Sequence, residues 1–77
     1  MRLGIYRHYK GNFYQVIGLA RHTETLEELV VYQCLYEPFS LWVRPRTMFE
    51  ETTVVENRVV PRFEFVSAGV AATPKLR

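Results

Sequence analysis

A chain of 77 residues with a formal charge of +2 has room for one domain and one core, since a chain this short buries only about 60% of the surface its unfolded form exposes. Two domains or an enclosed cofactor are disfavoured on size, and 48% hydrophobic against 23% charged residues places the chain among globular and not disordered sequences. The single cysteine, Cys34, allows no internal disulfide and no cysteine-based metal site, and so small a net charge does not by itself announce a nucleic-acid partner.

Gly4 to Tyr9 alternates loosely, with Ile5, Arg7 and Tyr9 on one side and Tyr6 and His8 on the other, and predicts a first, partly exposed strand. Lys10-Gly11-Asn12 follows as the turn, because Gly and Asn tolerate positive φ and permit a tight hairpin. The second strand, Phe13 to Ala20, sets Phe13, Ile17 and Leu19 against Tyr14, Val16 and Ala20, and Gly18 within it predicts a bulge. Arg21 to Glu28 supports two readings. Thr25 and Glu28 fit a capping box with Leu26, Leu29 and Val30 on one helical face, yet Val30-Val31-Tyr32 are poor helix formers next to one another. Thr23 to Glu28 therefore reads as a loop with at most one helical turn, and Leu29 to Tyr36 as a strand.

That strand, Leu-Val-Val-Tyr-Gln-Cys-Leu-Tyr, is apolar almost throughout, which predicts burial on both faces, as in the wall of a small closed barrel. Glu37-Pro38-Phe39-Ser40 is a turn, and Leu41 to Arg44 a short strand stopped by Pro45. Arg46-Thr47-Met48-Phe49 predicts a single helical turn whose Met48 and Phe49 plug one end of the barrel. Thr52 to Val55, a turn at Glu56-Asn57-Arg58 and Val59 to Val66 make a last hairpin, in which Phe63 and Phe65 alternate with Arg62 and Glu64. The domain thus covers residues 1–66, and residues 67–77, with little to bury, read as a flexible C-terminal tail. The fold class is mainly β, a small SH3-like barrel of five or six short strands with one short helical turn. No apolar segment approaches the roughly 18 residues of a membrane span, and the polar run Tyr6-Arg7-His8-Tyr9-Lys10 leaves no secretory h-region, so the cytoplasm is the expected compartment.

Gly4-Ile5-Tyr6-Arg7-His8-Tyr9-Lys10-Gly11, Tyr14-Gln15-Val16, Ala20-Arg21-His22-Thr23-Glu24-Thr25, Val30-Val31-Tyr32 and Trp42-Val43-Arg44-Pro45 occur in that order. Together with Met48-Phe49 and Pro61-Arg62-Phe63, this succession resembles a family of small bacterial proteins catalogued as domain of unknown function 1653. The resemblance runs from about Gly4 to Phe65 and leaves the tail outside. It departs from the family at Glu56-Asn57-Arg58, where a glycine is more usual; Asn57 can take the left-handed conformation instead. What it implies is an SH3-like barrel in a bacterial cytoplasm, with no activity or catalytic residues attached.

The residues themselves support three readings of function. No phosphate-binding glycine loop, nucleophile-elbow serine or paired-cysteine motif occurs and the chain has no aspartate, so standard hydrolase machinery is absent and no cofactor or metal is expected. An enzyme would have to be a small metal-dependent or acid–base one built on His8, His22 and Glu24, which requires the two histidines to meet. A binding module for nucleic acid, RNA foremost, would use the cations Arg7, Lys10, Arg21, Arg44 and Arg46 interleaved with Tyr6, Tyr9, Tyr14, Tyr32, Tyr36 and Trp42, because guanidinium groups clamp phosphates while aromatic faces stack bases. A protein- or peptide-docking module would use exposed tyrosines and Trp42, with the acidic loop Glu24 to Glu28 selecting basic partners.

Acids and bases are segregated, with Arg2, Arg7, Lys10 and Arg21 before Thr23 and Glu24, Glu27, Glu28 and Glu37 between Thr23 and Ser40. Cross-strand pairing explains that pattern most simply, and it allows Arg44 to pair with Glu24 or Glu28. The non-catalytic nucleic-acid module is the reading adopted, with protein or peptide docking as its alternative and the enzyme as the second. In it Arg7, Lys10, Arg21 and Arg44 contact phosphates, His8 and His22 add hydrogen bonds, Trp42 or Tyr32 stacks a base, and Glu24 counts among the ligand-binding residues.

Overall fold

The computed structural model describes residues 1–68, so the expected tail, apart from Ser67 and Ala68, lies outside the described residues. β1 (Gly4–His8) turns back into β2 (Phe13–Arg21) through a turn in which Gly11 sits at φ +113°. There the His8 amide donates to the Asn12 carbonyl at 2.8 Å and the Gly11 amide to the His8 carbonyl at 2.7 Å. β3 (Glu28–Cys34) and β4 (Leu41–Pro45) extend the sheet antiparallel, and α1 (Arg46–Phe49) follows at once. β5 (Thr52–Val55) and β6 (Arg58–Pro61) form a separate hairpin, and β7 (Phe63–Ser67) returns to pair with β1. The five-stranded sheet runs β4-β3-β2-β1-β7. None of the described helices is long and apolar enough to cross a membrane.

The class is mainly β with one short helical turn, as the sequence reads. Seven strands take the place of five or six because the expected strand Val59–Val66 breaks at Arg62. β6 belongs to β5 and β7 belongs to β1, so the chain must change sheets there. Pro61 cannot donate to a ladder. Arg62 gives its amide to the Glu51 carbonyl at 2.9 Å and accepts from the Tyr9 amide at 3.0 Å, which ties the hairpin to the end of β1. Backbone pairing does not close the sheet into a barrel, for β4 and β7 are its two edges. Side chains span the gap instead, with the Arg44 guanidinium of β4 5.6 Å from the centre of the Phe63 ring of β7.

Curvature comes from the bulge that Gly18 predicts. The β2–β3 register shifts between Val16 and Gly18, so that Val16 faces Tyr32 and Leu19 faces Val30. A second irregularity, between Ile5 and Tyr6, bends β1 against β7. Gly4, at φ +136°, is packed so closely against the Ser67 carbonyl that a Cβ could not be accommodated.

The inner face holds the core. Tyr6, Val16, Val30, Tyr32, Phe49 and Phe63 form a buried cluster, with Met1, Tyr14 and Phe65 packed against it. Burial of β3 on both faces is not observed. Val30, Tyr32 and Cys34 are buried, whereas Leu29, Val31 and Gln33 are half-buried, because no layer of the described residues covers the outer face, where Val43 lies beside Val31 and Leu41 beside Gln33, both exposed. Of the two residues expected to plug the fold, Phe49 does so, at 1% exposure, and Met48 points to solvent.

Phe49→Ala is therefore expected to cost about 3–5 kcal/mol, against about 0.5 kcal/mol or less for Met48→Ala. Urea unfolding followed by far-UV circular dichroism checks the pair, and equal midpoints for the two variants would contradict the assigned roles.

Candidate functional site

Strand alternation sends Trp42, Tyr32, Tyr14, His8 and Phe63, from five different strands, to the same side of the sheet. Trp42 is the register partner of Tyr32, and Tyr14 that of Cys34. The Tyr14 ring lies 5.6 Å from Tyr32 and 5.5 Å from Phe63, edge to face in both cases. His8 is 4.8 Å from Phe63 and 6.4 Å from Tyr14, centre to centre. Such edge-to-face contacts fix ring orientations while leaving hydroxyls free to reach the rim.

A cleft of about 260 Å³ opens at this face, lined by Tyr14, Tyr32, Cys34, Tyr36, Trp42 and Arg44. It falls short of the roughly 300–1,000 Å³ that encloses a whole small ligand, so it fits one ring or one end of a ligand. The Tyr14 and Tyr36 hydroxyls are 3.0 Å apart, and Arg44 Nε donates to the Tyr32 hydroxyl at 3.4 Å. Hydrogen bonding to Tyr14, and next to Cys34, raises the Tyr36 phenol above its ordinary pKa. Trp42 is 54% exposed. No carboxylate lines the cleft.

Arg44 is the cation of the cleft lining, and three glutamates are held in ion pairs with other arginines. Arg46 bridges Glu28 at 2.9 Å and Glu50 at 3.2 Å, and Arg62 pairs with Glu51 at 3.2 Å. The expected pairing of Arg44 with Glu24 or Glu28 does not form; Glu28 goes to Arg46, and Arg44 takes part in no ion pair among the described residues. A second cleft, of about 280 Å³, lies by the hairpin and is lined by Arg7, Tyr9, Val55, Val60, Pro61 and Glu64. There Arg7 has Glu64 as its register partner, so its charge is locally opposed.

The structure brings together only part of the set singled out in the sequence. Tyr32, Trp42 and Arg44 share the first cleft, with His8 beside its Tyr14 wall and Lys10 next to His8, whose Nδ1 accepts from the Lys10 amide at 3.1 Å. Arg7 belongs to the other cleft. Arg21 is the last residue of β2 and His22 follows it, at the end opposite Phe13 of a strand whose 9 residues span about 30 Å. Arg21 donates to the Leu26 carbonyl at 3.1 Å. His22 Nδ1 accepts from the Glu24 amide at 3.1 Å and the Thr25 amide at 3.4 Å, so this imidazole caps its own loop. His8 and His22 consequently do not meet. Among the described residues no cluster of three His, Cys, Asp or Glu is placed to hold a metal.

Tyr32 is buried and its ring is packed on Tyr14, Phe49 and Phe63, so of the two rings expected to offer a stacking face Trp42 is the exposed one. Tyr14 and Tyr36 complete the cleft without having been singled out beyond the general run of aromatics. The signal for Tyr36 was its spacing, two and four residues after Cys34 and Tyr32 on one face of the chain.

A family model described as protein of unknown function (DUF1653) matches residues 4–65. A crystal structure of a protein belonging to DUF1653 from Bordetella bronchiseptica is similar at 40% identity and a TM-score of 0.80, over 87% of this chain and 88% of that one. No curated protein matches significantly.

His8 offers a direct check on the electrostatics of this face. Burial lowers its pKa first, followed by the positive charges of Arg62, Lys10 and Arg44. Below about pH 6.5 the unfolded chain takes up a proton that the folded chain resists. Stability from this group is thus complete above about pH 6.5 and lost as pH falls from there through the folded pKa. Proton NMR of the His8 ring is expected to titrate below about 6.5, and the urea midpoint should fall less between neutral and acid pH in His8→Gln than in the wild type. A His8 titration at or above the free-histidine value would contradict the account.

Proposed function

The chain belongs to the DUF1653 family, for which no function is assigned, and from that premise we propose that it is a non-catalytic module that binds single-stranded nucleic acid, RNA foremost, on the inner face of its sheet. The observation that carries this reading is the half-exposed Trp42 beside Arg44, a guanidinium with no carboxylate partner among the described residues, over a cleft lined with tyrosine hydroxyls. A base stacks on Trp42 with its edge toward the Tyr14 and Tyr36 hydroxyls, and Arg44 takes the adjacent phosphate. Past Tyr14 the strand meets His8, where Lys10 and Arg62 supply the next positive charge. A cleft too small to enclose a nucleotide suits a polymer that leaves most of each unit in solvent.

Docking of basic peptides fits the geometry less well, because the acidic loop that would select them follows β2 at the end remote from Tyr14, and Glu28 is engaged by Arg46. The cytoplasm is the setting that an RNA ligand and a buried, unpaired Cys34 suit.

Amide chemical shifts of the labelled protein, followed during titration with a mixed single-stranded RNA pool at low and moderate salt, test the reading. Salt-sensitive shifts are expected at Trp42, Arg44, Tyr14, Tyr36 and His8. Trp42→Ala should weaken binding by about 1–3 kcal/mol, and Arg44→Ala should reduce the salt slope by about 0.7. Arg21→Ala, remote from the cleft, should leave both unchanged. Absence of shifts at low salt, or shifts confined to the Arg7 cleft, would overturn the proposal.

A further inference from the structure

The edge strand β4 shows a feature that the nucleic-acid reading does not use. Leu41, Trp42 and Val43 are exposed by 61%, 54% and 57% in succession, so the strand is apolar toward solvent on both of its faces. Exposed edges are ordinarily guarded by a lysine, a central proline or a bulge, because their unpaired amides and carbonyls template further pairing. Between Ser40 and Arg44 there is none of these, and the β3–β4 register is regular throughout.

Ladder phase identifies the groups left open. The Cys34 amide donates to the Ser40 carbonyl at 2.9 Å, and hydrogen-bonded pairs alternate with non-bonded ones along an antiparallel ladder. The bonded partners are then Trp42 with Tyr32 and Arg44 with Val30, which leaves Pro45 opposite Leu29 at a position needing no amide donor. The amides and carbonyls of Leu41 and Val43 accordingly point away from β3, into solvent.

We infer that β4 is a self-association edge, on which two copies of this chain pair antiparallel about Trp42. In that register Leu41 of each copy lies opposite Val43 of the other, and every outward amide and carbonyl of the two residues is satisfied in four hydrogen bonds across the twofold axis. Trp42 meets its own counterpart at the closely spaced non-bonded position, and Arg44 faces Ser40, so no like charges oppose one another. The run Ser-Leu-Trp-Val-Arg, aliphatic on either side of a central tryptophan, presents the same sequence of shapes in both directions, which is what a twofold contact requires. That self-complementarity selects a second copy over an unrelated strand. Registering on Val43 instead sets Leu41 against Pro45, whose missing amide leaves the Leu41 carbonyl unpaired. The two five-stranded sheets become one, and the two Trp42 clefts lie side by side on its inner face.

Sedimentation equilibrium without nucleic acid, from about 10 µM to about 1 mM, covers the range in which a small interface of this kind associates. The wild type is expected to rise from one chain mass to two. Val43→Lys and Leu41→Lys, whose side chains lie on the outer face away from the cleft, should stay at one chain mass with unchanged circular dichroism. Register is read separately by oxidation. Trp42→Cys should cross-link into a covalent dimer, since its Cα separation of about 4.5 Å across the axis suits a disulfide, and Leu41→Cys, placed opposite Val43, should not. A wild type that remains at one chain mass, a dimer indifferent to both lysines, or cross-linking of Leu41→Cys in preference to Trp42→Cys would each overturn the inference. Mass is measured without RNA, so failure here is distinct from failure of the nucleic-acid reading.

Discussion

The stack of Phe49 on Phe63, 4.1 Å between centres and 7° from parallel, is the contact on which the rest of the inner face depends. A five-stranded open sheet has two edges and two faces to manage, and the described residues supply one short helix to cover one of those faces. Phe49, brought over the sheet by that helix, meets Tyr6 from β1, Tyr32 from β3 and Phe63 from β7. One ring thus holds three strands at a fixed curvature that backbone pairing alone leaves open. With total stability in small domains of about 5–15 kcal/mol, a core built on so few rings has little to spare. The same curvature brings Arg44 on one edge within reach of Phe63 on the other, so the shape of the cleft is a consequence of the core and not an independent feature.

Local chemistry was legible in the sequence and non-local pairing was not. Gly11 marks its turn because positive φ is a property of one residue, and Glu56 and Asn57, both at positive φ, make a two-residue hairpin turn where the sequence reads a three-residue one ending at Arg58, which instead pairs with Val55. Alternation at Phe63 and Phe65 gave their side correctly. The break at Arg62 was hidden, because Val59 to Val66 is a good strand by composition and only the identity of the partner strands makes it two. The apolar run in β3 was read as two-sided burial, since periodicity registers that Leu29 and Val31 are apolar without recording whether anything covers them.

The binding face divides in the same way. Trp42 and Arg44 are two residues apart on one short strand, so their meeting needed only the alternation of β4. Arg7, Arg21 and His22 needed strand length, bulge position and face to be known together. Arg7 falls beside Glu64 across the β1–β7 ladder, and Arg21 and His22 are carried off by the full length of β2. For His22 the decisive competitor was the backbone: two loop amides occupy Nδ1, the atom that a base or ligand role would use. A histidine followed closely by polar residues in a tight loop serves first to satisfy that loop's donors.

Trp42 is where the demands on the molecule converge. Its inner-face position beside Tyr32 gives the cleft its open aromatic surface, and its central place in an unguarded edge makes it the pivot of a twofold pairing. The two proposed uses call on different parts of the strand, since pairing needs the backbone groups of Leu41 and Val43 on either side, while stacking needs the indole. A lysine within β4 would guard the edge and at the same time remove apolar surface on which the strand's neighbours rest, as Val43 does beside Val31. Arg44 answers part of this conflict by turning its charge across the inner face toward Tyr32 and Phe63, where it serves the cleft and leaves the outer edge uncharged. An edge strand that keeps its cation on the inner face and its aliphatic residues on the outer one is physically suited to meet a copy of itself while its tryptophan and arginine remain directed at a ligand.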